Sequence, residues 1–293
     1  MQTSQTKARS SDSAERTLPS VLFVGPGKTG TTWIHEYLAG RDDVVLPEDK
    51  ESRFFDRYFD RGIGWYAGLF SHGAADAKRI EVCPAYGHCP EAAERIAQTL
   101  PHARIVFTLR NPVDRTISHY WHQRRFLGYG TALEDSLTPD SKFIHASRYA
   151  EHIARYTATF GAASVGYLVF DDLKKDVIGY ARAICHEAGL PFRPPSMDVA
   201  GKRANKGTHI RSLAFARAGY MVRRSLRDAN MVWAIQLIRA MGIAKINERS
   251  APLETSKGGD AAIRRKIYDL LADDIHALER RLGRTFPDWH VSM

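Results

Sequence analysis

The chain has 293 residues, 44% of them hydrophobic and 26% charged, and its 42 basic and 33 acidic residues leave a formal net charge of +9. That length can bury a large core in one big α/β domain or two small ones, and the composition is ordinary for a soluble globular protein. The three cysteines, Cys83, Cys89 and Cys185, are too few and too odd in number for a disulfide framework, and none has zinc-binding spacing, so cytoplasm is the expected location.

Residues 1–17 are polar and lack the apolar core of a secretory signal; they are expected to form a disordered tail ahead of one domain over 18–293. No apolar run approaches the roughly 20 residues that span a bilayer. The nearest, Met231–Ile238, is short and flanked by arginines, and reads as a packed helix, with a peripheral membrane contact as the lesser alternative.

The first strand is expected at Val21–Val24, followed by a helix over Thr31–Ala39 and a short strand at Val44–Leu46 ended by Pro47. Arg53–Tyr58 reads as an aromatic-rich helix or turn, Arg79–Val82 as a strand, and Pro90–Leu100 as a helix with Ala93, Ile96, Ala97 and Leu100 on one face. Arg104–Leu109 is nearly continuous in apolar residues, as in the middle of a parallel sheet. Asn111 and Pro112 cap and start the next helix, with Val113, Ile117, Tyr120 and Trp121 as its stripe. A helix over Ser147–Phe160, a strand over Val165–Phe170 and a helix over Val177–Ala188, stopped by Gly189, complete the repeat. Ser250–Asp260 reads as a loop, and Ala261–Leu282 as one amphipathic helix. Alternating strands and helices imply a parallel sheet flanked by helices, with a helical C-terminal region.

Four segments carry chemistry. The first is Gly25-Pro26-Gly27-Lys28-Thr29-Gly30-Thr31-Thr32-Trp33. Strand, glycine-rich turn and helix build a phosphate cradle, because glycines let backbone approach an anion and the first helical N–H groups point at it. The triphosphatase pattern G-x-x-x-x-G-K-[ST] puts its lysine after the second glycine. Here Gly25 and Gly30 keep the spacing, but Lys28 precedes Gly30. The plain alternative is a tight connection with an incidental lysine.

The second segment is Arg110-Asn111-Pro112-Val113-Asp114-Arg115-Thr116-Ile117-Ser118. It follows the central strand, where ligands of open α/β sheets bind, and an arginine fork with a hydroxyl suits a phosphate monoester. The third is Lys50-Glu51-Ser52-Arg53-Phe54-Phe55, in which Glu51 could serve as a general base and Phe54 and Phe55 as core. Glu81-Val82-Cys83-Pro84-Ala85-Tyr86 follows it, with Tyr86 either in an acceptor cleft or packed. The fourth is Lys202-Arg203-Ala204-Asn205-Lys206-Gly207-Thr208, inside a block from 201 to 227 with eight cations and no Asp or Glu. Such a block points to an anionic partner, although from Arg217 onward a solvated basic face is the simpler reading. It carries no recognised nucleic-acid motif.

Together the segments resemble the sulfotransferases that use 3′-phosphoadenosine 5′-phosphosulfate (PAPS), and among them the carbohydrate and heparan-sulfate type. The resemblance implies a P-loop-like fold and transfer of a sulfuryl group to a hydroxyl of a glycan or glycolipid, with PAPS as donor and no metal. It implies that Lys28, Thr29, Gly30, Thr31 and Thr32 hold the 5′-phosphate and that Arg110 and Ser118 hold the 3′-phosphate. Arg203, Lys206 and Gly207 would close the cofactor site. Lys28 would neutralise the leaving oxygen, Glu51 would act as base, and Lys50 would assist. His88 is the reserve base, since another branch of that family uses histidine. Val82 and Cys83 depart from the relatives' E-K-T-P-A-Y. The rival is a P-loop kinase, with Asp171 and Asp172 at the end of a strand as magnesium ligands. A non-enzymatic anion-binding protein is the third reading. His119 and His122 read as surface or packing residues, and oligomeric state is not legible.

Overall fold

A computed structural model describes residues 17–201, 209–210, 213–229, 231, 234–235, 237–238, 248–249 and 261–290. The tail 1–16, the loop 250–260 and the segment with Arg203, Lys206 and Gly207 lie outside the described residues. Five strands, β1 (Val21–Phe23), β2 (Val44–Val45), β3 (Lys78–Val82), β4 (Arg104–Leu109) and β5 (Val165–Val169), form one sheet in the order β2-β3-β1-β4-β5. Every pairing in it is parallel, and Val21 stands opposite Ile80 on one side and Arg104 on the other.

Helices cover both faces. Leu22, Ile105, Phe107 and Val169 pack with the helices Pro90–Thr99 and Tyr149–Phe160. Phe23, Val106 and Leu168 pack with Thr31–Ala39 and Val177–Ala188. Two-sided burial explains why the strand sequences are runs rather than alternations. Because β1 is flanked by β3 and β4, the chain reverses its direction of winding there, and the carboxyl ends of all three strands open on one crevice.

Local signals hold where they are strong. Thr31–Ala39, Arg104–Leu109 and Val177–Ala188 form as expected, and the Asn111 carboxamide oxygen accepts from the Val113 and Asp114 N–H groups. Other expectations are corrected. β5 ends at Val169, and Phe170 opens the helix Phe170–Lys175. The Ser147 hydroxyl is held by Arg115 and Thr116, so its helix begins at Tyr149. Trp121 is exposed rather than part of the buried stripe. The C-terminal helix is two, Ala261–Asp269 and Ala272–Leu282. The break lets Asp274 accept from the Ala150 and Glu151 N–H groups and seat the second piece on Tyr149–Phe160. Within the basic block, Leu213–Asp228 is a helix whose Arg227 pairs with Asp49, so that face is partly docked rather than only solvated. Ala234–Ile235 and Leu237–Ile238 are helical, with Ile235 buried and Leu237 exposed. Among the described residues no helix is long and apolar enough to cross a membrane.

Candidate active site

The glycine-rich loop leaves β1 at its carboxyl end and turns sharply. Gly25 has φ +58, and a Cβ there would stand 2.7 Å from the Pro84 Cβ. Gly30 has φ +87 and lies against the Phe170 ring so closely that any side chain would overlap it. Both positions need glycine for conformation and for space. Gly30 is also the N-cap of Thr31–Ala39, and no side chain caps that helix start. Its first N–H groups therefore remain for an external acceptor, which is an anion site by construction. Thr31 is buried and Thr32 exposed at that start. Thr29 is the correction: its hydroxyl is fully buried, bonded to the Pro26 carbonyl at 2.6 Å and to the Thr108 hydroxyl at 2.5 Å. The Thr29 hydroxyl is therefore engaged within the protein.

Lys28 sits in the left-handed region at φ 79, a conformation that costs a lysine about 1–2 kcal/mol. Desolvation lowers its pKa to about 8, helped by the nearby charges of Arg110, Arg125, Lys50 and Arg115. These cations come from two stretches of sequence, Lys50 from the segment after β2 and the three arginines from the end of β4 and the helix Pro112–Leu127. Arg110 follows β4, donates to the Lys28 carbonyl at 3.2 Å, and lies over the Phe170 ring at 5.4 Å. It stands 4.0 Å from Asp114, and its buried Nε has no partner. Ser118, half-buried, lies one helical turn beyond Asp114 on the same face of Pro112–Leu127. Lys50 Nζ donates to the Thr32 hydroxyl at 2.8 Å, which brings the third segment to the first.

Arg125 escaped the sequence reading, and His122 was read there only as a surface or packing residue. Arg125 lies close enough to act on Lys28, and desolvation, Lys28 and Arg125 together lower His122 to about 4. They stand four and seven residues beyond Ser118, so helical spacing alone carried the signal.

Glu51 is half-buried, and among the described residues its carboxylate has no hydrogen-bond or ion-pair partner. Phe54 and Phe55 are core, as expected. Tyr86 is packed too: it is fully buried, and its hydroxyl shares a 3.0 Å hydrogen bond with the Ser52 hydroxyl. His88 is pushed down to about 3 by burial first and then by His152 and Arg115, so it stays neutral.

The carboxylates that supported a magnesium site are spent on the protein. Asp171 accepts from Lys174 at 2.7 Å, the Trp289 indole at 3.2 Å and the Asn111 N–H at 3.3 Å. Asp172 is paired with Arg284. Among the described residues, both carboxylates that follow β5 thus have partners within the protein.

Residues 83–194 match the sequence pattern of the sulfotransferase family. That segment includes Arg110, Ser118, His122 and Arg125, while Lys28 and Glu51 precede it. Heparan sulfate glucosamine 3-O-sulfotransferase 6 of Mus musculus is 38% identical over 105 residues, covering 36% of this chain and 30% of that protein. The bifunctional heparan sulfate N-deacetylase/N-sulfotransferase 4 of Mus musculus is 32% identical over 182 residues, covering 54% of this chain and 21% of that protein. The chain thus spans less than a third of these curated relatives. A crystal structure of a sulfotransferase from Alicyclobacillus acidocaldarius superposes with a TM-score of 0.63 at 21% identity, over 93% of this chain and 98% of that one. At that identity the likeness speaks for the sulfotransferase fold, with its central parallel sheet.

Proposed function

We propose that this chain is a sulfotransferase that moves a sulfuryl group from PAPS to a hydroxyl of a carbohydrate, on a polysaccharide, oligosaccharide or glycolipid. The observation that carries the reading is the hydrogen bond from Arg110 to the Lys28 carbonyl, which ties two anion-binding stations into one crevice. The unpaired, buried Arg110 Nε and the uncapped helix start at Gly30 are both donors that a diphosphorylated adenosine would satisfy. PAPS supplies an activated sulfuryl group on a good phosphate leaving group.

The protein's own work is alignment and charge neutralisation, as in phosphoryl transfer. The amides of Thr31 and Thr32 and the Lys28 ammonium take the 5′ end, while Arg110 and Ser118 take the 3′ end. Lys28 is placed to offset negative charge on the oxygen that leaves. Lys50, held by Thr32, brings the Glu51 segment beside that end, and Glu51 accepts the acceptor's proton. Arg203, Lys206 and Gly207 are proposed to complete the cover.

A carbohydrate acceptor is supported by the two heparan-sulfate relatives and by a net charge of +9, which suits a polyanionic glycan. A cytoplasmic location and peripheral membrane contact belong to the same reading. The test is an assay of labelled sulfate transfer from PAPS across a panel of glycans and glycolipids, run beside thermal shifts. Stabilisation by adenosine 3′,5′-bisphosphate without magnesium is expected. Magnesium-dependent stabilisation by ATP alone would replace this reading with a kinase.

A further inference from the structure

Among the described residues the buried acidic side chains are Asp49 and Glu81, and Glu81 is the more deeply buried. It is fully buried on β3, and none of its hydrogen-bond partners is a cation. Its Oε1 accepts from the Ser52 backbone N–H at 3.1 Å, and its Oε2 accepts from the Tyr66 hydroxyl at 2.6 Å. The Tyr86 hydroxyl approaches both oxygens at 3.3 Å and also meets the Ser52 hydroxyl. The Ser52 hydroxyl in turn accepts from the Phe54 N–H at 3.1 Å, and Arg53 between them takes φ 57. Residues 51–53 belong to no helix or strand, so these bonds define their course.

A buried carboxylate without a cationic partner is costly, and such a group persists where something depends on its acceptors. Burial pushes Glu81 up to about 7, against the opposing pull of its bonds from Ser52 and Tyr66. Its oxygens are all engaged and none is exposed, so it cannot reach an acceptor hydroxyl itself. Its one backbone partner, Ser52, is the residue next to Glu51.

We infer that Glu81 is the positioning residue for Glu51: by accepting the Ser52 N–H from inside the core, it fixes where the Glu51 carboxylate stands at the crevice. This rests on Glu51 being the base in the proposed transfer. What matters is an oxygen acceptor at this place, so a glutamine serves and an alanine does not.

The test uses the full chain, the acceptor chosen by the panel, and four variants. Glu81→Ala is expected to lower kcat at least tenfold, with affinity for adenosine 3′,5′-bisphosphate within twofold of the wild type. Glu81→Gln should restore most of that kcat. Tyr66→Phe, which keeps the ring stacked on Phe54 and removes one bond to Glu81, should lower kcat a few-fold and covers the case in which the alanine variant does not fold. Glu81→Ala in a Glu51→Gln background should cost nothing further, since both act through one group. Full turnover in Glu81→Ala or Tyr66→Phe overturns the inference, as does a parallel loss of nucleotide affinity or an unrescued glutamine variant. An active Glu51→Gln enzyme instead removes Glu51 as base, and the two failures are thereby told apart.

Discussion

The Arg110 guanidinium donates to the backbone carbonyl of Lys28 across 3.2 Å, joining the end of β4 to the loop after β1. One bond therefore sets the spacing between the two anion stations. The same guanidinium rests on Phe170, the ring against which Gly30 is packed. Three segments far apart in sequence are locked at one point.

Replacing Arg110 with alanine should weaken binding of adenosine 3′,5′-bisphosphate by about 1.5–3 kcal/mol, the range for hydrogen bonds to charged groups. Isothermal calorimetry measures it directly. Unchanged affinity would mean that the nucleotide does not lie along this edge.

Lys28 separates function from strain. Lys28→Ala and Lys28→Gly should both lose most turnover, because both lose the ammonium. The glycine variant should be the more stable by about 1 kcal/mol, since only glycine takes φ 79 without penalty. Urea unfolding of the two variants gives the comparison, and equal midpoints would argue against strain at this residue.

Nucleotide affinity should fall as pH rises from 7 to 9. The Lys28 pKa of about 8 means that its proton, and its attraction for phosphate, is present below that value and lost above it. The phosphate groups undergo no further ionisation in that window. Calorimetry at several pH values should show the decline in the wild type and a flatter profile in Lys28→Ala.

The fold should lose stability in mild acid. Burial holds His88 near 3, His119 near 2 and His152 near 4, below the usual 6.5. The unfolded chain binds those protons first, so their contribution is present above pH 6.5 and is lost as pH falls. Glu81, raised to about 7, and Asp274, raised to about 6, act in the opposite sense and favour the folded state at lower pH. With His122, held near 4, four imidazoles outweigh two carboxyls, for a net loss on the order of 3 kcal/mol between pH 6.5 and 5. Urea midpoints across that range test the sign, and His152→Gln should reduce the slope.

The sequence was most legible where chemistry is local. A run such as Ile105–Leu109 cannot avoid a buried strand, and Asn111-Pro112 is a helix start whatever surrounds it. The site's segments were legible because glycine, lysine and arginine have few other reasons to stand at strand ends. What stayed hidden depends on partners distant in sequence. The inward turn of the Thr29 hydroxyl needs Thr108, and the consumption of Asp171 needs Trp289 from the chain's far end. The break after Asp269 follows from docking on two different helices, which a continuous apolar stripe does not announce. Arg125 was legible in spacing and was overlooked, and His122 was read as surface or packing, because neither belongs to a recognisable string of letters.

Phe170 has a further consequence. It backs both the loop glycine and the arginine fork, so the reach between the two proposed phosphate grips is set by a rigid ring rather than by two flexible side chains. In the proposed transfer, discrimination would then fall to length: a molecule would have to carry its two charged ends as far apart as the ring dictates, with the protein as a gauge.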